Sequence, residues 1–417
     1  MQNNLILSGT TDMLQPSFQG KSKLLISSVL LVFFLVPLYF FSTGGFQIVD
    51  IPIALLMIYV ICTLYKYELQ LLSLVSLPLS AFALWAVCIN MWYYASSFET
   101  VYIKASLQTI YTSIIFIVFS VLFLRIATYN KRIILYLYYG ILLSLIVPLA
   151  VQGSPEAAFE SRQVLTFSNP NQLASYTISI IAITLILSDQ LRCMTRREKF
   201  LKAFGLSLVL VLAHYYIFIA ASRAGIASMV IVDIIMLYRC NKVLLCTVVP
   251  VILTAILFTG LFSVDELRTT AIYKKFIQKG SITADLEKRT TGRLNSEGLQ
   301  LLFGAGKKNK SLGMKELHHT KEIHNTFLDI IYSYGLIGGC VFALYLYIYL
   351  KTCIRTPYYI ALMFSILPLA MTHNLIRFRI LWIFLALVFS INLTRNNLYH
   401  PSIEIAHGKR SIFSPES

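Results

Sequence analysis

His324, Arg223 and Arg293 are the side chains of this sequence best equipped for chemistry. Imidazole titrates near neutrality, so His324 can take a proton from a hydroxyl. Guanidinium groups bond phosphate bidentately, so Arg223 and Arg293 can hold an anion as charge builds on it. His324 stands with Asn325 before an apolar stretch, Arg223 lies in Ser222-Arg223-Ala224-Gly225, and Arg293 follows Thr291-Gly292. Thr290 and Thr291 can cap a helix that places Arg293 in its first turn, with Leu294, Leu299, Leu302 and Phe303 toward the core and Gly304-Ala305-Gly306 ending it. A cation in a first turn opposes the helix dipole, and that local cost points to another task for Arg293, such as gripping phosphate.

Each residue also has an ordinary structural reading. A histidine at a membrane interface is commonly a cap or belt residue, and Arg223 can snorkel from a helix end. Asn169-Pro170-Asn171 is a capped helix start with proline near the first turn. Alternatively, its exposed amides beside Arg162 would receive a phosphate or a sugar hydroxyl. His373-Asn374 with Arg377 and Arg379 echo the same chemistry in a last turn, and His318 and His319 lie shortly before His324. Asn169, Asn171, Asn325, Arg162 and Arg377 are therefore candidate substrate contacts.

The elements that must position these groups are transmembrane helices. The 417 residues are 57% hydrophobic and 13% charged, with mean hydropathy +0.72, which excludes a soluble domain. Apolar runs fall at about 24–42, 48–65, 71–93, 107–126, 133–151, 171–188, 203–221, 225–238, 243–262, 326–350, 358–372 and 378–393, predicting an all-α membrane protein of about twelve spans. The chain divides into a polar segment 1–23, helices over 24–262, a polar insert 263–323, helices over 324–393 and a tail 394–417. The first helix is too long, and too far from a small-residue cleavage site, for a removed signal peptide.

Lysine and arginine set the orientation. With the first helix starting in the cytoplasm, 18 of the 35 cations fall on cytoplasmic connections and only Lys104, Arg162, Arg223, Arg377 and Arg379 on short external ones. Both ends are then cytoplasmic, and the insert between the ninth and tenth spans is external. The insert carries twelve Lys and Arg against seven Asp and Glu, a net +5 that favours an anionic ligand or lipid headgroups. The seven cysteines fall in helices or on the cytoplasmic side, so no disulfide framework is expected. Amphipathic spacing over 265–279 fits a helix lying on the membrane. His214 and Asp233, eight residues before Ser222 and ten after Arg223, come to equal depth on antiparallel helices and either pair or bond elsewhere.

Ser222-Arg223-Ala224-Gly225, Thr291-Gly292-Arg293 with Phe303-Gly304-Ala305-Gly306, and His324-Asn325 with Tyr334-Gly335-Leu336-Ile337-Gly338, in this order and sidedness, resemble the O-antigen ligase/polymerase superfamily. The Asn169-Pro170-Asn171 turn is also similar. The resemblance spans the sixth to the twelfth run. It implies a GT-C-type glycosyltransferase of the bacterial inner membrane that takes a glycan from an undecaprenyl-pyrophosphate carrier on the periplasmic side. Ligases of the superfamily pass it to the lipid A-core, and polymerases pass it to another lipid-linked repeat. The family's two arginines and loop-end histidine fall on Arg223, Arg293 and His324. Some members have two adjacent histidines there, where this chain has Ile323 before His324.

Displacing pyrophosphate from an anomeric carbon needs a base near neutral pKa and fixed cations for the departing charge, roles that suit His324 and the two arginines. No acidic cluster with metal-ligand spacing occurs in the external segments, so the expectation is inverting transfer without a metal or other cofactor. One dominant external loop favours the ligase over the polymerase. A polytopic transporter or flippase is a third class, for which inverted repeats would speak. The expected partners are the lipid-linked donor, the lipid A-core acceptor and membrane lipids, with no nucleic acid.

Overall fold

The computed structural model describes residues 15–38, 47–127, 131–152, 165–167, 169–191, 195–239, 298–307, 325–354 and 356–395. Among these there are helices and no strands. In chain order they are α1 (Gln15–Leu35), α2 (Asp50–Thr63), α3 (Lys66–Ser97), α4 (Thr100–Ala127), α5 (Lys131–Ser144), α6 (Val147–Gln152), α7 (Pro170–Gln190), α8 (Arg196–Ala220), α9 (Arg223–Arg239), α10 (Leu299–Phe303), α11 (Thr326–Cys353), α12 (Pro357–Phe364), α13 (Leu367–Thr372), a 3-10 turn (Leu375–Arg377) and α14 (Arg379–Arg395).

Five helices are long and apolar enough to cross a membrane: α3, α4, α7, α8 and α11. That defines an all-helical, multi-pass membrane protein. Shorter apolar helices accompany them, among them α2 and α5 at 14 residues each. A helix of that length rises ~21 Å, short of the ~30 Å of a hydrocarbon core.

Each apolar run except 243–262, which is outside the described residues, falls on helix, but the lengths depart from expectation. Run 133–151 is divided between α5 and α6, and run 358–372 between α12 and α13. Pro148 and Pro368 each occupy the second position of the new helix, where the missing N–H breaks no hydrogen bond. The turn expected over 94–106 shrinks to residues 98–99. There Phe98 takes a left-handed conformation (φ 53°) and its N–H caps the Tyr94 carbonyl at 2.7 Å. The polar start expected over 1–23 becomes helical from Gln15.

α7 is the hub of the bundle. Its residues 172–188 are buried without interruption, so helices surround it on every side. α14 lies against α4 and α7, joined to α4 by Ser390 Oγ, which donates to the Ser120 carbonyl at 2.9 Å. Phe116, Tyr345, Tyr349, Trp382 and Phe389 interlock between α4, α11 and α14 with ring centroids 5.9–6.4 Å from Phe116, Tyr345 or Tyr349. At one end of the bundle, Arg125 of α4 meets Glu68 of α3. The opposite end collects the α3–α4 and α8–α9 turns and the starts of α2, α7, α11 and α14, and there the described candidates Asn169, Asn171, Arg223, Asn325 and Arg377 gather.

Candidate functional site

α7 begins as its sequence dictates. Asn169 is extended (φ −152°), and its Oδ1 accepts from the amides of Asn171 and Gln172 at 3.0 and 2.9 Å, with Pro170 in the first turn. Asn169 Oδ1 therefore caps α7. Asn171 reaches outward to the α8–α9 turn, where Ser222 Oγ donates to its Oδ1 at 2.9 Å. Ser222 Oγ in turn accepts from the Gly225 amide at 3.2 Å, which caps α9. Arg223 is the first residue of α9 and is half-buried. The close fit needs Gly225, because a Cβ there would stand 2.9 Å from Ala174 Cβ. Asn-Pro-Asn and Ser-Arg-Ala-Gly are thus packed partners.

A second pair of motifs meets across the bundle. α11 is broken at Gly335 (φ 70°), a conformation that favours glycine, and the break leaves carbonyls without their intrahelical amides. Partners from outside the helix take them. The amides of Ala305 and Gly306 donate to Tyr332 and Ser333 carbonyls at 3.0 Å each, and Trp85 Nε1 donates to the Tyr334 carbonyl at 2.8 Å. Gly304 and Gly335 lie backbone on backbone. A Cβ at 304 would sit 2.4 Å from the Ser333 oxygen, and one at 335 would sit 2.2 Å from the Leu302 oxygen. Segment 304–306 of the polar insert is therefore welded to the first third of α11.

α10 ends at Gly304 as the glycine spacing predicts, but its side chains do not face the core. Leu299 is 75% exposed, Leu302 43% and Phe303 38%. Five residues make little more than one turn, so most of the contact is made by backbone, from Leu302 through Gly306, with the Phe303 ring stacked on Trp85 at 6.1 Å.

Asn325 caps α11, its Oδ1 accepting from Phe327 and Leu328 amides at 3.0 and 3.1 Å. Thr326 then bridges to the last turn, donating to the His373 carbonyl at 2.6 Å and accepting from the Leu375 amide at 2.9 Å. Arg377 and Lys307 line one cavity with Gln108, Thr109 and Tyr334, of ≈ 10 Å³, about what one water needs. α13 packs against both α9 and α11, so Arg223 and the Asn325–Arg377 group share one end. His324, Arg293 and Arg162, with His318 and His319, lie outside the described residues.

Arg379, grouped by sequence with Arg377, has a structural task. Its Nε and a terminal nitrogen hold both oxygens of Asp50 at 2.6 and 2.7 Å, while Tyr111 donates to the same carboxylate and the Gln47 amide adds 2.7 Å. Asp50 had no special role in the sequence, although an acid in the first turn of an apolar helix signals one. The expected His214–Asp233 pair is present, Nε2 to Oδ2 at 3.2 Å, with Nδ1 donating to the Leu210 carbonyl at 2.8 Å.

Sequence reading missed the cluster of Lys307, Asp329, Asn374 and Asn90. Lys307 Nζ donates to Asp329 Oδ2, Asn374 Nδ2 donates to the same oxygen at 2.8 Å, and the Lys307 amide donates to Asn90 Oδ1 at 2.9 Å. Among the described residues no group of three metal-ligating side chains occurs. No protein-family model and no curated protein matches the chain.

Proposed function

We propose that this protein is an O-antigen ligase of the bacterial inner membrane, a GT-C-type glycosyltransferase with twelve spans, both ends cytoplasmic and the insert periplasmic. It transfers a polysaccharide from undecaprenyl pyrophosphate to a hydroxyl of the lipid A-core. One observation carries the reading: the motifs that resemble the superfamily pack as pairs at a single end of the bundle. Asn171 bonds Ser222, and Gly304-Ala305-Gly306 docks on Tyr332-Ser333-Tyr334-Gly335. Nothing in general membrane-helix packing requires four separated motifs to meet this way.

In this mechanism His324 takes the proton of the acceptor hydroxyl as its oxygen attacks the anomeric carbon. A new C–O bond forms on the face opposite the leaving group, the anomeric carbon–oxygen bond to phosphate breaks, and the electron pair departs on pyrophosphate. Arg223 and Arg293 hold that charge. Asn171 is committed to Ser222 and acts by setting the height of the Arg223 turn, while Asn169 and Asn325 cap the helices that carry the site. Arg377, which lines a cavity with Lys307 at the same end, is a further substrate contact.

Membranes of cells lacking the protein test the assignment. Unligated O-antigen of normal chain length is the expected result. Single repeats on core would make the protein a polymerase, and unchanged lipopolysaccharide would remove both readings.

A further inference from the structure

The Asp329 cluster is placed where it can control the geometry of the whole end. Asp329, 5% exposed, lies one turn inside α11, and its Oδ2 receives both Lys307 and Asn374. Lys307, 8% exposed, is held at both its ends, by Asn90 at the amide and Asp329 at the ammonium. Three segments far apart in sequence are thereby fixed to one carboxylate. They are segment 304–307 of the insert, the start of α11, and the last turn with Arg377.

A charge pair buried among apolar helices gives up much solvation, and its best-attested use is to fix register. Here the register at stake is that of the glycine joint. Backbone contact between Gly304 and Gly335 defines how close the insert lies, and the ion pair defines where along α11 it stops. We infer that Asp329 is a positioning residue for glycosyl transfer. Through Lys307 and Asn374 it sets the spacing between segment 304–307, the start of α11 and the last turn with Arg377 without touching substrate. The inference rests on the transferase reading, because spacing matters only if those segments act together.

Two readouts on the full-length protein in membranes test it. The first needs no activity: Ala305→Cys, 4% exposed at its native position, is placed in a cysteine-replaced background and labelled with a maleimide. Lys307→Met and Asp329→Asn should label about tenfold faster than the parent, and Lys307→Arg should match it. The second is transfer kinetics. Lys307→Met and Asp329→Asn should lose about 10²-fold in kcat with donor KM within about threefold, and Lys307→Arg should retain kcat. If a single variant fails to accumulate, Lys307→Met/Asp329→Leu, which leaves no lone buried charge, takes its place.

Unchanged kcat with faster labelling would make the cluster structural glue and overturn the inference. Raised KM with retained kcat would make Lys307 a donor ligand and overturn it too. Absence of transfer by the parent would remove the transferase reading and the positioning role with it, while the labelling result would still decide whether the cluster holds the joint.

Discussion

Two buried ion pairs, one at each end of the bundle, are satisfied to different degrees. At one, Arg125 is held at every nitrogen: its Nε and one terminal nitrogen bond Glu68 at 2.8 and 2.7 Å, the same terminal nitrogen reaches the Thr63 carbonyl at 2.7 Å, the other reaches Thr63 Oγ1 at 2.8 Å, and Tyr59 and Tyr65 rings flank it at 5.9 and 5.6 Å. At the other, Lys307, Asp329, Asn374 and Asn90 are linked, yet Asn374 Oδ1 and Asn90 Nδ2 are buried with no hydrogen-bond partner among the described residues. A network that is satisfied throughout rigidifies a fold. One with spare donors and acceptors has capacity left for other work, and such gaps in a native structure call for a functional account. The difference sets the Lys307–Asp329 pair apart from the Arg125–Glu68 clamp.

Substitutions at the two ends should therefore fail in different currencies. Arg223→Ala should cost the most, a loss of about 10²- to 10⁴-fold in transfer with normal membrane accumulation, read by donor turnover in membranes. Arg223→Lys should recover only part of it, since a lysine cannot bond phosphate bidentately. At the clamp, Arg125→Met leaves Glu68 buried alone. It should lower stability by about 3–5 kcal/mol, seen as earlier thermal aggregation in detergent, with transfer per folded molecule within about twofold of the parent. A variant of Arg125 that is stable but inactive would erase the contrast.

Smaller changes sharpen it. Gly335→Ala adds a methyl 2.2 Å from a backbone oxygen at φ 70°, and should cost about 1–3 kcal/mol while raising protease sensitivity of the insert's end. Asn169→Ala removes only a cap, for about 1 kcal/mol, and should leave transfer per molecule unchanged.

Local signals were the legible ones. The Asn169 cap, the Gly304 stop and the pairing of His214 with Asp233 all follow from spacing along one helix or one hairpin. The runs 133–151 and 358–372 were read whole, although Pro148 and Pro368 mark the new helix starts that divide them. Partners without local connection were not. Lys307 and Asp329 are 22 residues apart, Asp329 and Asn374 are 45 apart, and Asp50 and Arg379 are 329 apart. Hydropathy places such residues at a depth but says nothing of which neighbour they face. The orientation of Leu299, Leu302 and Phe303 failed for a related reason: helical periodicity assigns an inward face only where a helix is long enough to have one packed side.

The most direct measurement is transfer by the purified protein, supplied with a polyprenyl-pyrophosphate-linked glycan and a lipid A-core acceptor. The account predicts ligated product and released polyprenyl pyrophosphate from the parent, and loss of about 10²-fold or more from His324→Ala. Equal product from both proteins, or none from the parent, would contradict it.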